Sequence, residues 1–276
     1  MELLSYLTQP FAQNALLGAV LVAIICGLIG PFVITRRMAF AVHGTSELAF
    51  TGAAAGLLLG GNAVLGALIG SLVVATLIGF LGVREHERDS SIGVILAFGL
   101  GLGILLLSFY RGFATAATNI LFGDIFGISS SQLFMLMAIS VGVIAVMTAI
   151  YRPLLFASID PEVAAARGIN VRVIGLVFLF VLALTVTATA QVVGTLLVLS
   201  LAITPAAAAQ RLSANPVAVT ALSITFALLA SVGGLLASLA SGDIKTSVFV
   251  TMISFAIYVA ARLATSGVTA AHHKHV

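Results

Sequence analysis

The stretch MAFAVHGTSELAFTGAAAG, residues 38–56, places a histidine and a glutamate four positions apart among apolar and small residues. On a helix this spacing puts His43 and Glu47 on one face, about 6 Å apart at Cβ. Imidazole nitrogen and carboxylate oxygen both ligate zinc, and they also suit manganese and iron. Because zinc usually takes about four ligands, a metal site here would need further ligands from other helices or from a second copy of the chain.

Two other roles fit the same pair. A buried hydrogen bond between the imidazole and the carboxylate would lock two helices together. A proton relay uses the same residue types inside a membrane. The spacing alone leaves the metal site, the structural hydrogen bond and the relay open.

The composition indicates which elements must position the pair. The chain has 276 residues, of which 61% are hydrophobic and 8% are charged, whereas a soluble domain has about 25% charged residues. Such a chain has lipid as its natural solvent. We therefore predict an all-α, multi-pass protein of the cell membrane, with residues 1–276 forming a single transmembrane domain. We expect no room for a soluble catalytic domain and no nucleic-acid partner.

Apolar runs of about 20 residues predict nine spanning helices. They cover roughly residues 13–35, 43–60, 62–83, 90–110, 131–150, 173–190, 193–210, 217–240 and 246–263. The uncharged run from Val173 to Gln210 has 38 residues and would be about 57 Å long as one helix, so we divide it near the sequence ATAQVVG. Pro205 falls within the second half, where we expect a kink or a hinge. Glu47 is the only acidic residue that we place deep within a span.

The distribution of Lys and Arg predicts the orientation. With the N-terminus outside and the C-terminus in the cytoplasm, ten of the twelve basic residues lie on the cytoplasmic side, as the positive-inside rule requires. The segment 112–130, which contains Asp124, is too short and polar for an ordinary span, so we expect an outer loop or a short re-entrant helix that protein buries. The C-terminal His272, His273 and His275 suit either a metal-binding tract or a disordered tail.

The longest charged segment, IDPEVAAARGINVRVIG at residues 159–175, lies on the predicted cytoplasmic side. Asp160 is suited to cap a helix, Pro161 to occupy its first position and Glu162 to lie in its first turn. Gly168 would then end the helix after about two turns. Such a short helix is well placed to dock on a cytoplasmic partner, although an ordinary connecting loop fits the same pattern.

The chain as a whole resembles the permease subunit of ATP-binding-cassette (ABC) importers for zinc, manganese or iron. The resemblance rests on the order and spacing of five stretches along nearly the full length. They are RRMAFAVHGTSELAFTGAAAG (36–56), ERDSSIGVILAFGLGLGILLLS (87–108), LFGDI (121–125), DPEVAAARGI (160–169) and QVVGTLLVLSLAITPAAAAQRL (191–212).

The resemblance implies roles for both informative stretches. In this family the segment after the first span usually carries an aspartate and, four residues later, a histidine on the metal path. Here His43 and Glu47 occupy those positions with acid and imidazole exchanged, so one nitrogen and one oxygen ligand remain; Asp124 is a further candidate. The segment 160–169 resembles the coupling helix that fits a groove on the ATPase subunit, and we expect bulky changes at Ala164 or Ala165 to uncouple that contact.

The resemblance also implies a set of partners. We expect a second copy of the chain, a cytoplasmic ATP-binding subunit and an extracytoplasmic metal-binding protein. Because the sequence contains no G-x-x-x-x-G-K-[ST] phosphate loop, we expect the chain not to be an enzyme and ATP to bind only to the partner subunit. No cofactor is expected to be permanently bound, and the transported ion would be manganese, zinc or ferrous iron.

Two alternatives remain at this stage. An ion- or proton-coupled secondary transporter would use His43 and Glu47 as a proton relay, but such transporters often contain internal repeats and we find no convincing repeat. An ABC permease for a larger substrate, such as a siderophore, would need a wide cavity instead of a face with two metal ligands.

Overall fold

The computed structural model of the protein describes residues 9–81, 85–110, 119–242 and 244–272. Within these ranges the regular secondary structure is entirely helical, which confirms the all-α prediction. The helices are α1 (Pro10–Thr35), α2 (Ala39–Leu58), α3 (Ala63–Leu81), α4 (Glu85–Phe109), α5 (Ser130–Ile159), α6 (Pro161–Ala166), α7 (Val171–Val193), α8 (Val198–Ala202), α9 (Thr204–Leu212), α10 (Pro216–Ser241) and α11 (Thr246–His272). Two short 3-10 helices cover Ile125–Gly127 and Thr195–Leu197.

The helices confirm a multi-pass membrane protein, although they are less uniform than nine equal spans. Six helices are long and apolar enough to cross a membrane, namely α1, α3, α5, α7, α10 and α11. Two shorter apolar stretches cover Gly93–Phe109 and Val198–Leu212. Helical residues lie at all nine predicted segments, but the count of nine spans and the orientation of the termini stay predictions.

Helices α1 and α7 form the centre of the molecule. Their most apolar stretches are 72% and 61% buried, more than those of the other four long helices. Helix α1 packs against α5, α7 and α10, whereas α7 also packs against α2 and α3. Because α3 and α4 flank α2 on its remaining sides, the helix that carries the histidine–glutamate pair is held within the bundle.

Glycines allow α2 to lie very close to its two neighbours. A Cβ atom at Gly52 would lie 2.1 Å from the Gly66 carbonyl oxygen on α3, and one at Gly103 on α4 would lie 2.6 Å from the Phe50 ring. Real side chains do not reach such distances, so these positions require glycine. The close packing of small residues is typical of helix contacts in lipid, and it fixes the position of α2.

The chain breaks after α7, as the sequence predicted. Gly194 has a φ of +88°, which glycine adopts at no steric cost and which ends the helix there. The following segment differs from the predicted continuous helix over 193–210, because it consists of a 3-10 helix and the two short helices α8 and α9.

Pro205 was predicted to kink or hinge its helix, and the apolar helical stretch Val198–Leu212 is interrupted at Ile203, two residues before it. Pro205 lies in the first turn of α9, after a break at Ile203. The first helical turn tolerates proline because its backbone nitrogen needs no partner there. Pro205 therefore lies just after the interruption, and its role as a kink or a hinge stays a prediction.

Candidate metal path and ATPase-coupling helix

Helix α2 places the two candidate ligands near its first turns. His43 is half-buried, whereas the Glu47 side chain is 6% exposed. Between them Gly44, Thr45 and Ser46 are buried. The pair therefore lies on a helix whose other faces are occupied by protein, and Glu47 is one of the few charged residues that the described part of the chain buries.

The structural hydrogen bond considered for this pair is absent from the part of the chain that the structure describes. Neither side chain makes a hydrogen bond there, and no ion pair within 4.0 Å joins them. The backbone carbonyl of Glu47 accepts a hydrogen bond from the Thr51 hydroxyl at 3.1 Å, but that bond leaves the carboxylate free. The two side chains share a helix face without satisfying each other.

A single chain supplies an incomplete metal site. Among the described residues, no group of three or more His, Cys, Asp and Glu side chains lies close enough to hold one ion. One imidazole and one carboxylate can bind a divalent transition metal, so water or a second chain would have to complete the coordination shell. This agrees with the ligand count expected from the sequence.

Asp124 lies in a different place from the pair. Its carboxylate accepts hydrogen bonds from the Asn119 side-chain amide at 2.8 Å and from the Gly127 backbone N–H at 3.1 Å. It therefore caps the 3-10 helix of residues 125–127. The prediction of a loop or re-entrant helix over 112–130 falls in part outside the described residues, since nothing is described from 111 to 118.

A cavity of about 260 Å³ separates Asp124 from α2, α3 and α7. Its polar wall consists of Asn119, Asp124, Gln132, Thr187, Gln191 and Thr195. Ala53 and Leu57 of α2 also line this cavity, but His43 and Glu47 do not. The structure thus brings Asp124 to a cavity with a polar wall and an apolar wall, beside the C-terminal half of α2, without joining it to the pair.

The segment 119–124, called the outer segment because the sequence predicts it outside the membrane, and the break after α7 are packed together. Gly123 has a φ of +76°, and a Cβ atom there would lie 2.5 Å from the Val192 carbonyl oxygen. The Thr195 hydroxyl donates a hydrogen bond to the Ile120 carbonyl oxygen at 3.4 Å. On its other side, the Thr195 carbonyl oxygen accepts a hydrogen bond from the Ser46 hydroxyl at 2.5 Å.

The contact between Ser46 and Thr195 was missed by the sequence reasoning. The two residues are 149 positions apart, and serine next to glutamate on a helix gives no signal of a distant partner. Only the fold brings the break after α7 to the helix that carries the pair.

The short helix α6 begins and ends as predicted. The Asp160 side chain accepts a hydrogen bond from the Val163 N–H at 3.0 Å, Pro161 lies in the first turn with Glu162, and Gly168 has a φ of +82° just beyond the C-terminal end. Residues 160–169 are thus a capped helix and not an irregular loop.

The two alanines of α6 have different surroundings. Ala164 is completely buried against the protein itself, so its side chain cannot contact a partner. Ala165 and Glu162 are exposed. Val163 and Ile159 are also exposed, by 44% and 67%, and the sequence reasoning did not identify these two. The sequence did contain a signal for them, since an apolar side chain in a charged segment can indicate a contact surface.

The C-terminal histidines lie at or beyond the end of the part of the chain that the structure describes. His273 and His275 lie outside the described residues, and His272 is described only as the end of α11. Their role stays a prediction.

Comparison with known proteins shows that the chain is similar to membrane proteins of metal transport systems. Residues 8–265 match the model of the family described as "ABC 3 transport family". The manganese transport system membrane protein MntC of Halalkalibacterium halodurans is 32% identical over 262 residues, covering 93% of this chain and 89% of that protein. The high-affinity zinc uptake system membrane protein ZnuB of Haemophilus influenzae is 30% identical, covering 81% of this chain and 86% of that protein.

A solved structure has the same architecture. A chain of PsaBC from Streptococcus pneumoniae, solved in complex with a Fab, superposes with a TM-score of 0.81 at 28% sequence identity. The match covers 94% of this chain and 94% of that chain, so the similarity extends over the whole bundle.

Proposed function

The chain belongs to the ABC 3 transport family, and we propose that it is the membrane permease of an ABC importer for a divalent transition metal. Similar proteins are named for manganese or zinc transport, which supports either ion as the substrate, with ferrous iron as a third candidate. The ion is cargo, and no permanently bound cofactor is part of this proposal.

The observation that carries the proposal is the state of Glu47. Its side chain is 6% exposed and makes no hydrogen bond within the described part of the chain. The electrostatic partner described for it is His43 on the same helix face. A largely buried carboxylate is costly by several kcal/mol or more unless positive charge compensates it, so the site favours a cation beside it. His43, one turn away, supplies the nitrogen ligand that distinguishes a transition-metal site from a general cation site.

Two copies of the chain would complete the site. Each contributes one imidazole and one carboxylate, which gives two nitrogen and two oxygen ligands on a path between the copies. The ion has to leave again, so binding should be weak enough for release. In this arrangement each copy has nine spans, with its N-terminus outside and its C-terminus in the cytoplasm.

Asp124 belongs to an earlier part of the same path. It lines the cavity beside the C-terminal half of α2, where its carboxylate would attract the cation delivered by an extracytoplasmic binding protein. Both of its described hydrogen bonds are accepted ones, so the carboxylate has capacity left for a hydrated ion.

The energy would come from a separate ATPase subunit that docks on α6. Glu162, Val163 and Ala165 form its exposed surface, while Ala164 anchors the helix to the bundle. Residues 1–276 then act as one permease domain without an enzymatic activity of their own.

A secondary transporter is the less favoured function. It would use the pair as a proton relay and need no ATPase, but family membership and the full-length similarity to MntC support an ABC permease. The same similarity argues against a permease for a siderophore.

The proposed function is tested by removing each ligand in turn. Glu47→Gln and His43→Ala should each reduce metal uptake by at least 100-fold, because the path loses half of its ligands from this chain. Uptake of manganese and zinc by cells or vesicles containing the complex measures this. Both variants should still insert and assemble with the ATPase, and uptake at the wild-type rate in either one would show that the ion takes another path.

A further inference from the structure

Ser46 occupies a distinctive position on α2. It lies between His43 and Glu47 in sequence, and its side chain is 1% exposed. Its hydroxyl donates a hydrogen bond to the Thr195 carbonyl oxygen at 2.5 Å. The turn of α2 that carries the candidate ligands is therefore tied directly to the break after α7.

Neighbouring hydroxyl groups on α2 make different contacts. The Thr45 hydroxyl, also 1% exposed, donates to the Ala41 carbonyl oxygen of its own helix at 2.7 Å. The Thr51 hydroxyl lies near the carbonyl oxygens of Glu47 in its own helix and of Gly99 on α4. Among these three described hydroxyls, that of Ser46 is the one that reaches the interrupted segment.

The acceptor residue has a second link, to the outer segment. The Thr195 hydroxyl donates to the Ile120 carbonyl oxygen at 3.4 Å, and Thr195 also lines the same cavity as Asp124. A series of two hydrogen bonds thus runs from the outer segment at Ile120, through Thr195, to Ser46 beside the pair.

The break makes this series mechanically distinct from ordinary helix packing. Gly194, with its φ of +88°, separates Thr195 from α7, and Thr195 begins a three-residue 3-10 helix that leads into the short helix α8. A segment that is not part of a long helix can shift without displacing a whole span. Such a shift would act on α2 at Ser46, next to the metal ligands.

We propose that Ser46 is a positioning residue for the metal site: its hydrogen bond to Thr195 holds the His43–Glu47 turn in its ligating position and couples that turn to the outer segment. The inference rests on the proposed function, since it needs a metal bound by the pair. In this proposal Ser46 acts through the turn that it holds and not as a ligand, since its hydroxyl proton is donated to the Thr195 carbonyl oxygen.

The test uses the purified permease with its ATPase and measures Mn²⁺ binding by electron paramagnetic resonance of the free ion. Ser46→Ala should weaken Mn²⁺ binding by about tenfold or more, as is typical when a supporting contact of a metal site is lost. Thr45→Val is the matched control, because it removes an equally buried hydroxyl that bonds only within α2; its affinity should stay within about twofold of wild type. Ser46→Thr keeps the donor and should recover most of the affinity.

A purely structural role for Ser46 predicts another result. Ser46→Ala would then lower the thermal unfolding midpoint more than Thr45→Val does, while the Mn²⁺ affinity of the folded complex would be unchanged. That outcome would overturn the proposal. In uptake assays the positioning role predicts a raised KM for the metal.

The link to the outer segment is tested by a double-mutant cycle. Thr195→Val removes the bond to Ile120 and leaves the Thr195 carbonyl in place. If the two bonds act in series, the double variant Ser46→Ala/Thr195→Val should bind Mn²⁺ about as weakly as Ser46→Ala alone. Fold-changes that simply multiply would show that the two bonds act independently and would overturn the coupling.

The failure of this inference can be distinguished from failure of the proposed function. If His43→Ala and Glu47→Gln bind Mn²⁺ as wild type does, the pair is not the metal site and both proposals fail. If those two variants lose binding while Ser46→Ala retains wild-type affinity, the proposed function stands and only the role of Ser46 is rejected.

Discussion

At the scale of residues, the molecule combines a nearly buried carboxylate with an imidazole one helical turn away. Glu47 lacks a hydrogen bond within the described part of the chain, which is unfavourable unless a cation lies beside it. The resemblance to metal importers, in which the acid precedes the histidine, indicates that the identity of the two ligands matters more than their order.

This view predicts that the pair can be exchanged. The double variant His43→Glu/Glu47→His keeps one nitrogen and one oxygen ligand on the same face of α2, so it should retain measurable metal uptake. The single variants His43→Glu and Glu47→His carry two ligands of one kind and should each fall below the double variant. Uptake of manganese and zinc by the three variants provides the measurement.

Exchanged ligands also provide a matched test of the structural alternative. If the pair only stabilised the helix packing, the two single variants and the double variant would show equal metal uptake per folded protein. A double variant no better than the worse single variant would contradict a shared metal site.

At the scale of elements, α6 is a helix of six residues between the long helices α5 and α7. Its capping by Asp160 and termination at Gly168 create a short rigid helix, and the burial of Ala164 fixes which side faces outward. The contact with an ATPase would then depend on the exposed side.

We predict that Ala165→Trp uncouples ATP hydrolysis from metal transport, because the bulky side chain would lie in the docking surface. ATP hydrolysis by the reconstituted complex should become insensitive to metal delivery, and uptake should fall at least tenfold. Ala214→Trp is the control, since Ala214 is exposed in the loop between α9 and α10 and lies outside α6. Equal coupling in the two variants would remove α6 from the ATPase contact.

The break after α7 gives a prediction about stability. Gly194→Ala would place a Cβ atom 2.2 Å from the Leu121 carbonyl oxygen in a backbone with a φ of +88°, so it should cost about 1–3 kcal/mol or more. Gly142→Ala on α5 is the control because a Cβ atom there meets nothing within 4 Å. Thermal unfolding in detergent should show a lower midpoint for the first variant and no loss for the second.

Much of this architecture could be predicted from the sequence, and the reason is physical. Long apolar runs have few alternatives to a helix in lipid, so their positions could be predicted. The length of the uncharged run from Val173 to Gln210 predicted a break near ATAQVVG, which the structure places at Gly194. The division of the segment after Gly194 into a 3-10 helix, α8 and α9 could not be predicted, because it depends on how α8 and α9 pack against other helices. Burial of Ala164 and the contact between Ser46 and Thr195 were likewise invisible, since both arise from residues distant in the chain.

At the scale of the whole molecule, helices α1 and α7 lie at the centre, and the helix that contains the pair packs beside α7. Helices α1 and α7 are the most buried of the long apolar helices, while α2 is held between α3, α4 and α7. Such an arrangement gives a frame of packed helices on one side of the pair. In the proposed function a second copy of the chain supplies the other side, and a partner ATPase supplies the energy for moving the ion.

The central claim is that ATP hydrolysis by a partner drives metal through a path containing His43 and Glu47. The most direct measurement is metal flux into vesicles containing the permease and its ATPase, with ATP and a proton gradient supplied separately. We predict flux that requires ATP, needs no proton gradient and is lost in Glu47→Gln. Flux that persists without ATP and follows the proton gradient would contradict this account and support a secondary transporter.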